Sequence, residues 1–273
     1  MGLFSFASKS SKPRYVGIDI GYSGVKLVEL MNESGKSRLV TYAYADMLAT
    51  SIEKPFMDDT SKVADFIKKM HTKARCTTKK AISALPGSSV FSSIISVPTT
   101  NEKEIKDAIQ LQAKKLIPVP LEEINLDSKI IDAGGDEAGK KVTRVLVNGA
   151  PKVLVSKYVE VFKKAGLELL SLETETFAQI RSLIGKDRST MMLIDIGSQR
   201  TNVTIVEKGI PFMARSIATG GYAITQMIAK TLGIPYEQAD SMKRDIRALQ
   251  SFAPAGDINP MLGTLLKPIL DEV

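Results

Sequence analysis

Tryptophan is absent from this chain, and histidine and cysteine occur once each, as His71 and Cys76. A lone cysteine excludes an internal disulfide. One residue of each type also excludes a Cys/His zinc site and any catalytic triad that needs a second histidine or cysteine. Aromatic residues are only 6 % of the chain, and none is interleaved with the lysine pairs as base-stacking platforms require, so nucleic acid is not expected as a partner. Long apolar runs are missing too. No stretch approaches the roughly 18 apolar residues of a membrane span, and the opening MGLFSFASKSSKPR has too short an apolar piece for a secretory signal. Phe6 stands where a myristoylation signal needs Ser or Thr. These absences predict a cytoplasmic protein with no direct membrane insertion.

What is present is a globular composition. The 273 residues are 44 % hydrophobic and 25 % charged, enough for two cores and hence two lobes. The formal charge of +7 is spread over pairs such as Lys68-Lys69, Lys79-Lys80, Lys114-Lys115, Lys140-Lys141 and Lys163-Lys164. These read as solvated helix faces, with attraction to an acidic partner or an anionic membrane surface as the alternative.

Residues 1–13 are Ser- and Lys-rich without apolar periodicity and predict a flexible arm. Three strands then form a meander over 14–20, 25–31 and 38–47. Val63, Phe66, Ile67 and Met70, at spacings of three and four, mark a helix over 59–72. Strands at 80–85 and 90–97 follow. A helix begins at the Asn101/Glu104 cap pair and is stopped by Pro118 and Pro120. Strands over 124–133 and 142–148, a helix over 152–165, a strand over 167–172 and a helix over 174–184 lead to a second meander at 191–196, 201–206 and 210–217. A helix starts at Gly221.

The opening pattern thus returns. Ile18-Asp19-Ile20-Gly21 and Ile194-Asp195-Ile196-Gly197 are identical tetrapeptides, each ending an apolar strand and opening a turn. Glycine after the strand permits a tight turn whose amides can converge on phosphate oxygens. An aspartate at the strand end can hold Mg²⁺ through its water shell. One Asp-x-Gly is an ordinary turn, but two copies in matching strands predict two related domains gripping one polyphosphate.

At these residues the chain resembles the actin, Hsp70 and FtsA superfamily, whose phosphate loops are Asp-x-Gly turns. In the first, DIGYSGVK, the resemblance assigns phosphate contact to Asp19, Gly21, Tyr22, Ser23, Gly24 and Lys26. In the second, DIGSQRT, it assigns Asp195, Gly197, Ser198, Arg200 and Thr201, with Gln199 and Arg200 where small residues are usual. ATP is the implied cofactor, with Mg²⁺ at Asp19 and Asp195. Within the superfamily the chain is similar to the PilM family of type IV pilus assembly proteins over roughly residues 1–250, through ALPGSSV, IPVPLEEINLD from Ile117 to Asp127, GLELLSLETETFA and GGYAITQMIAKTLGIPYEQADSMK.

That resemblance implies an α/β, actin-like (RNase H-like) fold of duplicated lobes: a first lobe over 14–188 with an FtsA/PilM-type inserted subdomain at about 79–150, and a second over 189–273. It implies a cytoplasmic scaffold that binds the N-terminal peptide of a bitopic inner-membrane partner like PilN, with self-association possible. An FtsA-like division filament or a small-molecule kinase is the alternative. Glu175 matches a carboxylate that orients attacking water, or is an acidic first-turn residue favourable to the helix dipole. Gly220-Gly221 opens a helix that can approach a nucleotide, or is an ordinary N-cap. Asp240 and Lys243 match ribose and adenine contacts, or form a surface i, i+3 pair. No Gly-rich run follows Gly221, so the expectation is an incomplete second lobe that binds ATP weakly.

Overall fold

The computed structural model describes residues 12–46, 56–99, 101–135, 141–245, 247 and 259–271. Most of the arm expected over 1–13 therefore lies outside the described residues. The chain divides into two compact units, one of residues 1–84 and 155–173, the other of 85–154 and 174–273.

In the first unit β1 (Arg14–Gly21), β2 (Gly24–Glu33) and β3 (Lys36–Asp46) form the expected antiparallel meander. β4 (Lys80–Leu85) lies parallel to β1 on its other side, and β8 (Glu168–Thr174) completes a sheet of order β3-β2-β1-β4-β8. Ser34 and Gly35 both have positive φ, as a two-residue turn between antiparallel strands requires. Alternation along β1 buries Val16, Ile18 and Ile20. Two helices contribute apolar stripes to the core: α1 (Thr60–Lys73) through Val63, Ala64, Ile67 and Met70, and α3 (Lys152–Lys164) through Tyr158, Val161 and Phe162. Asp59 caps α1, its carboxylate accepting from the Lys62 amide at 2.9 Å.

A buried carboxylate ties this unit together. Glu29 is fully buried on the core face of β2 and accepts from the backbone amide of Thr77 at 2.7 Å and from its hydroxyl, with the Arg14 guanidinium 4.0 Å away. Burial beside that carboxylate pushes the Cys76 thiol up to about 11, so Cys76 is a protonated packing residue rather than a nucleophile.

The second unit contains two three-stranded sheets. In one, β5 (Phe91–Val97) and β6 (Ile124–Gly135) flank β7 (Lys141–Pro151). Helix α2 (Glu102–Leu116) packs Ile105 and Ile109 onto Ile95, Val97, Val145 and Val147. The Asn101 side chain caps α2 by accepting from the Lys103 and Glu104 amides. In the other sheet, β9 (Met191–Ile196), β10 (Thr201–Glu207) and β11 (Ile210–Ile217) repeat the meander in the order β11-β10-β9. The Lys208-Gly209 turn again has positive φ at both residues. α5 (Gly221–Leu232) and α6 (Tyr236–Arg244) pack together through Ile228, Ala239 and Met242, and α7 (Asn259–Leu270) follows.

One helix differs from expectation. The segment read as a single helix over 174–184 is a short α-helix, α4 (Glu175–Gln179), continued by a π-turn over Ile180–Ile184 that ends at Gly185. The wider turn seats Ile180 and Ile184 against Val206, so tertiary packing sets the local pitch.

Glu29→Ala should cost about 1–3 kcal/mol, because the Thr77 amide loses its buried acceptor. Glu29→Gln, which keeps an acceptor oxygen, should cost less. Urea unfolding ranks the three proteins, and an unchanged midpoint for Glu29→Ala would contradict the clamp.

Candidate functional site

The identical tetrapeptides close differently. In the first copy the ladder runs on to a Gly21↔Gly24 pair, leaving Tyr22 and Ser23 as the loop. Gly24 has φ 158°, and a Cβ there would stand 2.2 Å from the carbonyl oxygen of Ala45, so only glycine lets β2 leave the turn beneath β3. Asp19 lies directly opposite Lys26, and their side chains pair at 2.8 Å in the open, 46 % and 66 % exposed. This turn presents an accessible carboxylate and ammonium beside a loop whose Tyr22 and Ser23 are exposed.

In the second copy the ladder stops at Ile196↔Thr201, leaving a four-residue loop, 197–200. Asn202, opposite Asp195, holds the place of Lys26 and bonds Ser216. The loop is braced from behind. Gly197 donates to the Arg200 carbonyl at 2.9 Å, and the first amides of α5, those of Gly221 and Tyr222, donate to the carbonyls of Gly197 and Ser198 at 2.9 and 2.8 Å. The helix start is therefore capped by the loop itself, without a side chain. A Cβ on Gly220 would meet Gly197 O at 2.5 Å and Ser198 O at 2.7 Å.

Several assigned side chains hold this brace. Arg200 turns its guanidinium onto the hydroxyl and carbonyl of Ser216, at 2.8 and 3.1 Å. The buried Thr201 hydroxyl donates to Thr219 O at 2.7 Å. Lys243 donates to Gly221 O at 2.9 Å and contacts Thr225 and Asp240, while Asp240 also takes Arg244. Asp240 and Lys243 thus reach beyond their own helix and knot α6 to the start of α5. Partial burial pushes the Asp240 carboxyl up, but the bonds from Lys243 and Arg244 outweigh it and hold the group below the ordinary carboxylate range.

Glu175 accepts from the Gly87 amide at 3.0 Å, joining α4 to the ALPGSSV turn. One helical turn later Gln179, which sequence reading passed over, donates its side-chain amide to Asp195 at 2.7 Å. The i, i+4 spacing from Glu175 was the available signal. Among the described residues no group of three or more His, Cys, Asp or Glu side chains could ligate a metal. Mg²⁺, which keeps most of its waters and takes one or two carboxylates, does not require such a group, so Asp19 and Asp195 fit its donor chemistry.

A family model described as type IV pilus assembly protein PilM matches residues 17–253. The chain belongs to the PilM family. Its fold is shared with a solved PilM–PilN type IV pilus biogenesis complex, at TM-score 0.73 and 22 % identity over 94 % of this chain and 73 % of that one. It is shared less closely with ethanolamine utilization protein EutJ from Carboxydothermus hydrogenoformans, at TM-score 0.52, 16 % identity, 96 % and 72 %. The cell division protein FtsA of Bacillus subtilis (strain 168) is 23 % identical over 256 residues, which is 85 % of this chain and 58 % of FtsA. This PilM-family chain thus spans little more than half the length of that relative. The architecture is α/β and actin-like, as the resemblance implied. No helix among the described residues is long and apolar enough to cross a membrane.

Gly220→Ala should destabilise the second unit by about 1–3 kcal/mol through overpacking. Gly221→Ala should be tolerated, since a Cβ there comes no closer than 3.6 Å to another group; equal melting temperatures for both variants would refute the brace. Because the Asp240 carboxyl is lowered on folding, its contribution is present above the usual carboxylate range and lost as pH falls through it. Asp240→Asn should therefore flatten the acid limb of a stability-against-pH curve, and an unaltered limb would contradict this.

Proposed function

We propose that this PilM-family chain binds Mg·ATP through its two Asp-containing turns and serves as a cytoplasmic scaffold of the type IV pilus assembly platform. The observation that carries the nucleotide reading is the recurrence of one hairpin with an aspartate at the same strand position, Asp19 opposite Lys26 and Asp195 opposite Asn202. Bound ATP supplies the polyphosphate and brings Mg²⁺. Asp19 and Lys26 offer it an exposed carboxylate and cation, with Gly21, Tyr22, Ser23 and Gly24 shaping the loop between them. Asp195 and Ser198 are the ligand-binding candidates of the second turn, which Gly197, Gly220 and Gly221 keep compact. Arg200, Thr201, Asp240 and Lys243 act by holding that turn in shape.

Turnover is at most slow on this reading. Glu175 accepts from the Gly87 amide through one carboxylate oxygen, and Gln179 stands against Asp195. The scaffold role draws on family membership and on a solved relative captured as a PilM–PilN complex. The partner we propose is the short cytoplasmic N-terminal segment of a bitopic membrane protein like PilN, which would hold the chain at the inner face of the membrane. The FtsA likeness favours a second reading, self-association into filaments, which sedimentation in Mg·ATP distinguishes.

Asp19→Ala should weaken Mg·ATP binding about tenfold or more, the loss of a group worth at least ~1.4 kcal/mol; unchanged affinity by calorimetry would sink the assignment. Titration with the partner peptide should shift NMR signals between about residues 14 and 185, and shifts confined beyond Asp195 would count against the scaffold reading.

A further inference from the structure

Nearly all of the chain's excess positive charge lies in the first unit, whose residues include 17 lysines and arginines against 11 aspartates and glutamates, compared with 20 against 19 in the second. Within the first unit the charge gathers at one end. β4 and β8 are neighbours, and the Glu168 amide donates to Lys79 O at 2.8 Å, so both strands start there. α1 ends at the same place, its His71 ring bonded to Thr78 O at 2.8 Å, and α3 ends at Lys164, four residues before β8 begins at Glu168. Exposed at this end are Lys73, Arg75, Lys79, Lys80 and Lys163.

Among the described residues none of these five cations has an ion pair. Of the carboxylates nearby, Glu29 is buried and occupied by Thr77, and Glu33 pairs with Lys12 and Arg38. Glu160 pairs with Lys164, and Glu168 is exposed at the start of β8. The phosphate turn at Tyr22–Ser23 lies at the other end of the eight-residue β1, roughly 25 Å away at ~3.3 Å per residue, so these cations are no part of the nucleotide site. Arg75, moreover, has φ 55°, the left-handed position after a helix that glycine usually fills.

We propose that this end of the first unit docks electrostatically on the surface of an anionic phospholipid bilayer, without inserting into it. The cations come from two stretches, residues 73–80 and the end of α3, and their charge complements an anionic surface. The contact is independent of the nucleotide and peptide readings and would orient the scaffold on the membrane before or alongside a protein partner.

The test is co-sedimentation of the full chain with vesicles of mixed phosphatidylglycerol and phosphatidylcholine, against vesicles of phosphatidylcholine alone. Binding should require phosphatidylglycerol and fall as salt rises. Each basic residue near such a surface is worth about fivefold, so the double variant Lys79→Gln/Lys80→Gln should weaken binding at least about tenfold. Arg75→Gly should weaken it about fivefold while the melting temperature holds or rises, a combination that damage to the fold would not produce. Lys103→Gln/Lys106→Gln, the same charge loss on exposed positions of α2, should leave binding unchanged. The proposal is overturned by no sedimentation, by equal binding to neutral vesicles, by equal loss in the α2 variant, or by capture of an acidic polypeptide or nucleic acid without vesicle binding.

Discussion

Both Asp-containing turns exist because main chain can lie against main chain where no Cβ intervenes. At the first, β2 leaves the turn under the Ala45 carbonyl through a glycine whose Cβ would be 2.2 Å from that oxygen. At the second, the segment entering α5 presses onto loop 197–200 so closely that Gly220 could carry no side chain without displacing backbone atoms. A flexible side chain can move aside when crowded, whereas a carbonyl held in a hydrogen-bond ladder cannot. The positions of Asp19 and Asp195, of β3 and of α5 all follow from these two contacts.

The same constraint makes the turns unequal. A two-residue loop closed by its own ladder needs no outside support, so Asp19 and Lys26 stay exposed and paired with each other, a surface pair worth little in water. The four-residue loop lacks that closure and is held by the bonds of Arg200 to Ser216 on β11 and of Thr201 to Thr219, by the α5 amides, and through Gly221 by Lys243. Exposed charge is concentrated at the first turn, and stiffness at the second. This division of labour separates the residues a family resemblance assigns to one site into those that can touch a ligand and those that position the backbone.

The fold was largely legible from periodicity. Alternation in 14–46 and 191–217, the apolar stripe of α1, the Asn101 cap and the repeated tetrapeptide all correspond to what the chain forms, because each depends on neighbours within a few residues. The candidate site was legible as a set of residues, yet their tasks were not. Nothing near Arg200 in sequence says that its guanidinium turns to Ser216, and the i, i+4 spacing of Gln179 from Glu175 does not say that it meets Asp195.

Repeated strands carrying like residues meet different surroundings. Val16, Ile18 and Ile20 are at most 5 % exposed, because β1 has a strand on either side. Met192, Ile194 and Ile196, at the same places in β9, are 44, 48 and 52 % exposed, since among the described residues β9 is an edge strand. Sequence alone determined where strands run, where they turn and which residues alternate, since these are short-range consequences of backbone sterics and apolar spacing. Only tertiary structure decided which apolar faces are covered, which polar groups are spent on bracing and which remain for a ligand, because those outcomes depend on contacts between residues far apart in the chain.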